Sequence, residues 1–330
     1  MTGVNPTIPL IKADGVKKYF TVKNSVFMEQ RRYLKAVDGI DLRIHVGETL
    51  GLVGESGCGK STLGRTILKL HSVTDGDLWF GDKHYSHYNA HSMRDLRKQM
   101  QMIFQDPYAA LNPRMTIFES VKAPLDVFGL YDKAERRERV ESLLQYVGLG
   151  REHIHRLPHE MSGGQRQRVV IARAMILNPS FIVCDEPVSA LDVSVRAQVL
   201  NLMKRVQQEN DLAYLFISHD LSVVRYLCNR IAVMYLGKIV EIAPKEELFD
   251  HPVHPYTKAL LSAIPVPDVD ARRERIVLSG DMPSPLHPPA GCRFHTRCAF
   301  ALNSCAEREP VLTRLSDGHS VACHLAKTFG

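Results

Sequence analysis

Long hydrophobic runs are missing from this sequence. None approaches the ~18 to 20 consecutive apolar residues that cross a bilayer, and the first ten residues lack the basic segment and apolar stretch of a secretory signal. We therefore expect a cytoplasmic protein that does not itself span a membrane. With 330 residues, 45% of them hydrophobic, the chain can bury one sizeable core and a second, smaller module.

A strong charge of one sign is also missing. Lysine and arginine total 42, and aspartate and glutamate total 36, which leaves a formal net charge of +6. That excess is small for a chain of this length, so nucleic acid is not an expected partner.

Cysteine is sparse, and its seven residues are an odd number for a disulfide framework. Three are scattered among segments with α/β character, whereas four crowd the end of the chain: Cys292, Cys298, Cys305 and Cys323. In a reducing compartment, such crowding suggests a metal before it suggests disulfides.

Short apolar runs alternate with helical patterns over most of the chain. Leu50–Val53 is a strand candidate that ends at Gly54, and apolar residues then recur at helical spacing. Three more buried-strand candidates follow: Phe181–Cys184, Tyr214–Ser218 and Ile231–Tyr235. This alternation predicts an α/β fold with a mostly parallel sheet that is covered on both faces.

Two changes in sequence pattern along the chain indicate the domain organisation. Ala134–Tyr146 reads as a charged amphipathic helix in a region with little strand character, so we predict a helical subdomain, about residues 107–178, inserted in the α/β core. After Pro252 the prolines multiply. We therefore predict a main domain over residues 1–250 and, over residues 251–330, a linker with a small cysteine-rich C-terminal module.

The segment after the first predicted strand fits the P-loop pattern of nucleotide-binding proteins. It comprises Gly54, Glu55, Ser56, Gly57, Cys58, Gly59, Lys60, Ser61 and Thr62. The glycines let backbone N–H groups turn toward an anionic phosphate at a helix N-terminus. Lys60 is expected to reach the β- and γ-phosphates of ATP, and the Ser61 hydroxyl to bind Mg²⁺. Because Cys58 would sit exposed at this helix N-terminus, we expect a lowered thiol pKa and loss of ATP binding on alkylation.

A second acidic element follows the strand candidate Phe181–Cys184. Asp185 is expected to hold Mg²⁺ through water, and Glu186 to take a proton from the attacking water. The alternative is a solvated acidic pair at a strand end. The P-loop elsewhere in the chain favours the catalytic interpretation.

A glycine-rich helix start lies about twenty residues before Glu186. It consists of Met161, Ser162, Gly163, Gly164 and Gln165, with Ser162 as the expected N-cap. Here the sequence resembles the ABC ATPases, whose signature usually begins with leucine instead of Met161. The resemblance implies an ABC-type nucleotide-binding domain with a mixed sheet and an inserted helical subdomain. It also implies that ATP and Mg²⁺ lie between the P-loop of one subunit and the signature helix of another.

Further positions match the same family. Gln105 resembles the glutamine that senses Mg²⁺ and the attacking water, and Asp192 resembles the aspartate that crosses the dimer interface. His219 resembles the histidine that contacts the γ-phosphate and orients water. For stacking on adenine, Phe20 is favoured over Tyr19; the two face opposite ways, because they are successive strand residues.

A narrower resemblance extends along the chain. Pro187–Gln198, His254–Thr257 and Pro283–Pro285 look like segments of the dipeptide and oligopeptide importer ATPases, above all their F-type subunits. Composition and spacing alone do not indicate peptide transport. The resemblance implies an ATPase that powers peptide import as a peripheral protein on the cytoplasmic face of the inner membrane. Its implied partners are a second ATPase subunit, expected to be a different chain, two membrane permeases and, indirectly, an extracytoplasmic peptide-binding protein.

Alternatives remain for the transported solute and for the C-terminal cysteines. The solute is a peptide, a nickel chelate or another small compound, and a non-transport ABC ATPase of translation or DNA repair is the rival function. In some peptide importer ATPases matching cysteines hold a [4Fe–4S] cluster, which the resemblance implies for Cys292, Cys298, Cys305 and Cys323. Zinc is one alternative, although Cys-x-x-Cys knuckles are missing, and four inert thiols are the other.

Overall fold

The computed structural model of the protein describes residues 8–22, 32–264 and 275–329. The strands in these ranges are β1 (Ile11–Val22), β2 (Arg32–Ile44), β3 (Thr49–Val53), β4 (Asp75–Phe80), β5 (Lys83–His84), β6 (Met100–Ile103), β7 (Phe181–Asp185), β8 (Ala213–Ile217), β9 (Arg230–Tyr235), β10 (Lys238–Pro244), β11 (Thr313–Ser316) and β12 (His319–Val321).

The α-helices are α1 (Lys60–Ile67), α2 (Arg94–Gln99), α3 (Pro107–Ala110), α4 (Ile117–Phe128), α5 (Lys133–Tyr146), α6 (Gly163–Met175), α7 (Val193–Glu209), α8 (Leu221–Leu227), α9 (Lys245–Asp250), α10 (Pro255–Ser262), α11 (Asn303–Glu307) and α12 (Ala326–Phe329). Short 3-10 helices cover Arg151–His153, Pro158–Glu160 and His295–Arg297. No helix in the described ranges is both long enough and apolar enough to span a bilayer.

The chain forms two compact units. Unit 1 comprises Met1–His45, Thr49–Ser86 and Phe216–Gly330, and unit 2 comprises Val46–Glu48 and His87–Leu215. The division falls within β8. The described residues after Asp250 belong to unit 1, so the structure does not set the cysteine-rich segment apart as a module of its own.

Unit 1 carries antiparallel pairing that the alternating pattern did not predict. Strands β2, β1, β4 and β5 form an antiparallel sheet, in which Ile11 on β1 pairs with Ile44 on β2 and with Phe80 on β4. In a second sheet, β3 runs parallel to β9, and β10 and β12 continue from β9 in antiparallel register. This unit thus combines parallel and antiparallel strands, as the resemblance to the ABC ATPases implies, and the mostly parallel sheet expected from the alternating pattern is wrong for it. Strands β9 and β10 follow one another without the crossover helix that parallel pairing needs.

Unit 2 is mainly helical. Its strands β6 and β7 pair in parallel, with Met100 opposite Phe181, and residues 104–180 between them contain helices and no strand. The predicted helix Ala134–Tyr146 is confirmed as α5. Helices α4, α5 and α6 each begin with the same device, a reciprocal capping box, formed by Thr116 with Glu119, Asp132 with Glu135, and Ser162 with Gln165.

Candidate nucleotide-binding site

The phosphate loop follows β3 in unit 1, and its glycines are required by geometry. Gly54 and Gly59 have φ of 150° and 110°, which L side chains rarely adopt. A Cβ on Gly54 would lie 2.1 Å from the carbonyl oxygen of Met234, and one on Gly59 would lie 2.0 Å from that of Ala36. The loop therefore passes so close to neighbouring backbone that only glycine fits at these two positions.

Lys60 is the first residue of α1 and is only 5% exposed. Its Nζ donates to the carbonyl oxygens of Gly54 at 2.6 Å and Glu55 at 2.9 Å. The Lys60 ammonium therefore folds back onto carbonyl groups of the phosphate loop. It lies next to the helix N-terminus, which favours anions.

Cys58 does not have the exposed setting expected from the sequence. It is 1% exposed, and burial raises the pKa of its thiol even though the Lys60 ammonium lowers it in part. The predicted lowering of this pKa is therefore wrong, because loss of hydration outweighs the nearby positive charge.

The acidic element lies in unit 2 at the end of β7. Asp185 is buried at 1% exposure, and Glu186 follows in the left-handed region with φ 47°. Such a conformation is strained for a residue with a long side chain, and strained residues of this kind cluster at functional sites. Gln105 Nε2 donates to Glu186 Oε2 at 3.2 Å, so the structure brings these two predicted residues together.

The carbonyl of Glu186 is held as well. The backbone N–H and the hydroxyl of Ser189 donate to it, at 3.3 and 3.0 Å. These contacts fix the strained backbone at the point where the side chain leaves the strand.

Ser162 caps α6 as predicted. Its Oγ accepts from the backbone N–H of Gln165 at 3.3 Å, and Gln165 Oε1 accepts from the backbone N–H of Ser162 at 2.9 Å. Gly164 packs against α7, where an added Cβ would lie 2.2 Å from Val195 Cγ1. The first turn of the signature helix is therefore fixed, and the Gln165 side chain takes part in its cap.

Asp192 has a local function that sequence analysis missed. It caps α7: Oδ1 accepts from the backbone N–H of Val195 at 2.9 Å and from the Ser194 hydroxyl at 2.8 Å. The hydrogen bond from the Val195 N–H is the main cause of the lowered pKa of this carboxyl. The signal that could have revealed the cap is an aspartate immediately before a helical pattern.

Phe20 and Tyr19 lie on β1 in unit 1 and make different contacts. The Tyr19 hydroxyl donates to Asp38, whereas the Phe20 ring meets His71 edge-on with centroids 5.4 Å apart. Tyr19 is therefore tied to a carboxylate. His219, also in unit 1, is exposed between β8 and α8.

The four C-terminal cysteines are reduced and come from different local segments. Burial is the main cause that raises the pKa of Cys292 to about 11, and the neighbouring thiols contribute to the same increase. Burial likewise raises the pKa of Cys298 and Cys323. Within the described ranges no three His, Cys, Asp or Glu side chains are grouped so as to hold a metal ion. The described geometry therefore does not form the predicted cluster or zinc site.

Comparisons with known proteins assign the chain to a family. A family described as "ABC transporter" matches residues 37–189, and one described as "Oligopeptide/dipeptide transporter, C-terminal region" matches residues 240–305. The oligopeptide transport ATP-binding protein AppF of Bacillus subtilis is 52% identical, covering 98% of this chain and 99% of its own. The chain belongs to the ABC oligopeptide/dipeptide transporter ATP-binding family.

Other members and solved structures extend this result. The dipeptide transport ATP-binding protein DppF of Haemophilus influenzae is 48% identical, covering 97% of this chain and 98% of its own. The ATP-binding cassette MJ0796, solved as a dimer in a post-hydrolysis state with ADP and Pi, is 30% identical with a TM-score of 0.63. That match covers 71% of this chain and 98% of the other. The family's fold is therefore that of the P-loop ABC cassette.

Proposed function

We propose that this protein hydrolyses ATP to power the import of dipeptides or oligopeptides across the cytoplasmic membrane. The observation that carries the proposal is the Glu186 carboxylate, which a strained backbone and the Gln105 amide hold at the end of a buried strand. Whole-length identity to AppF and DppF supports peptide import over a function in translation or DNA repair.

The residues divide the work of hydrolysis. Lys60 and the N–H groups of the phosphate loop bind the β- and γ-phosphates, and Phe20 stacks on adenine. Glu186 accepts the proton of the attacking water, which Gln105 and His219 orient. Ser61, Gln105 and Asp185 would hold Mg²⁺ through oxygen ligands, and the ion would neutralise charge on the phosphates.

The active form is a dimer of nucleotide-binding domains. Ser162, Gly163, Gly164 and Gln165 of one protomer present the N-terminus of α6 to nucleotide on the other, and Asp192 lies at the same interface. We propose a second ATPase subunit, two membrane permeases and, indirectly, an extracytoplasmic peptide-binding protein as partners. The complex places this chain at the cytoplasmic face of the inner membrane.

The test separates binding from chemistry. Glu186→Gln should retain ATP binding and lose at least about a hundredfold in ATP turnover, since it removes the base and spares the phosphate contacts. Lys60→Ala should lose binding. Glu141→Gln, which alters a surface ion pair with Arg137 on α5, is the matched control. Turnover at the wild-type rate in Glu186→Gln would contradict the assignment.

For the C-terminal cysteines we propose a [4Fe–4S] cluster on Cys292, Cys298, Cys305 and Cys323, with zinc as the alternative. The support is that neighbouring thiols raise the pKa values of Cys292, Cys298 and Cys323, and that the Cys292 N–H donates to the Cys305 carbonyl at 2.7 Å. Binding would need the thiols to converge and lose their protons. Anaerobically purified protein should then be brown and contain about four irons per chain; colourless protein without iron or zinc would refute both metals.

A further inference from the structure

A side chain from the C-terminal part of the sequence binds the phosphate loop. Arg297 donates to both carboxylate oxygens of Glu55, from Nη1 at 2.7 Å and from Nη2 at 3.1 Å. This two-point geometry is the strongest form of arginine–carboxylate pairing. The Arg297 side chain is 8% exposed and that of Glu55 is 29% exposed, so water screens the pair only in part.

A second contact holds the same residue by its backbone. The Glu55 N–H donates to the hydroxyl oxygen of Tyr256 at 2.8 Å. Tyr256 is fully buried and packs against Tyr235 and Phe294, with ring centroids 4.8 and 5.3 Å away. Since aromatic packing fixes the ring, the hydroxyl is a rigid anchor.

Both contacts bear on the lysine of the loop. The Glu55 carbonyl accepts from Lys60 Nζ at 2.9 Å, so the side chain, N–H and carbonyl of Glu55 are all engaged. A shift of Glu55 therefore changes the contacts of the Lys60 ammonium.

Arg297 itself is held in a tight turn. The Cys292 carbonyl accepts from the backbone N–H of His295 at 3.0 Å, and the Phe294 carbonyl accepts from that of Arg297 at 3.0 Å. Because the turn is closed by backbone bonds, the guanidinium projects from a defined position.

We propose that Arg297 and Tyr256 are positioning residues of the phosphate loop, which set nucleotide affinity by fixing Glu55. This inference rests on the proposed nucleotide binding by the loop. The competing explanation is that the contacts only attach the C-terminal segment to unit 1; they would then contribute to folding and leave affinity unchanged.

The test measures ADP affinity by calorimetry on the full-length chain. Arg297→Gln and Glu55→Gln should each weaken ADP binding about fivefold to tenfold, as expected for a partly buried ion pair. The double variant should bind no worse than either single one, since both remove the same contact. Tyr256→Phe should weaken binding in the same direction. The KM for ATP should rise by a similar factor, with kcat largely retained.

Controls separate this proposal from the function on which it rests. Arg314→Gln alters another arginine of the C-terminal segment, one paired with Asp317 at the surface, and should bind ADP as the wild type does. If Arg297→Gln does not fold, Glu55→Gln carries the test from the loop side. Unchanged ADP affinity with a lower melting temperature would overturn the positioning role alone. A wild-type chain that binds no ADP would refute the proposed function.

Discussion

Replacing Glu241 should be among the most damaging single changes outside the phosphate loop. Its carboxylate on β10 is fully buried and accepts three hydrogen bonds. The donors are the backbone N–H groups of Val253 at 2.8 Å and His254 at 3.0 Å, and His319 Nε2 on β12 at 2.8 Å. The carboxylate thereby joins the sheet, the segment before α10 and the C-terminal hairpin.

The expected magnitude follows from these contacts. In Glu241→Gln one carbonyl oxygen still accepts, but the new amide NH₂ faces a backbone donor, and the charge opposite His319 is lost. Breaking one side of a buried pair costs about 3–5 kcal/mol, and the retained acceptor places this variant near 3 kcal/mol. For a unit of this size, each kcal/mol lowers the melting temperature by roughly 2–4 °C, so a fall of about 6–12 °C is expected.

Thermal unfolding followed by circular dichroism at pH 6 measures this effect. Glu246→Gln is the matched control, because Glu246 lies on neighbouring α9 with its side chain 73% exposed, and it should melt like the wild type. The reasoning would be refuted if Glu241→Gln melted within a degree or two of the wild type, since the buried acceptor would then contribute nothing.

Three further outcomes are expected. Gly59→Ala should abolish nucleotide binding and cost about 3 kcal/mol of stability, measured by urea unfolding, because the added Cβ meets a carbonyl oxygen. Gly81→Ala is the control: Gly81 has φ 58° and open space around it, so this change should cost only about 1 kcal/mol. Native Cys58 should resist iodoacetamide at neutral pH and react after denaturation, as followed by peptide mass spectrometry; rapid native labelling would contradict its burial. Hydrogen bonding to Glu241 raises the folded-state pKa of His319. The contribution of His319 to stability should therefore be complete below about pH 6.5 and lost as pH rises through the folded-state pKa. His319→Gln should flatten this part of the plot of stability against pH.

Local chemistry explains which features could be predicted from sequence. The phosphate loop, the Ser162 cap and helix α5 depend on residues within a few positions of one another, and their patterns indicate them directly. The pairing of β1 with β2 and β4 depends on register between separate segments, which no local pattern specifies.

The site shows the same division. Glu186 was predicted from the end of its strand, whereas the contacts of Glu55 with Tyr256 and Arg297 join residues more than two hundred positions apart. Cys58 was misjudged because its burial is created by tertiary packing, which reverses the effect expected from a helix N-terminus alone.

The pairing of β12 with β10 also has a consequence for shortened chains. Glu241 and Ile242 lie opposite Val321 and Ser320, so the last hairpin occupies the hydrogen-bonding side of β10. A chain that ends before Thr313 would leave those N–H and C=O groups as an open sheet edge, which is a template for adding a foreign strand. Truncated proteins should therefore self-associate.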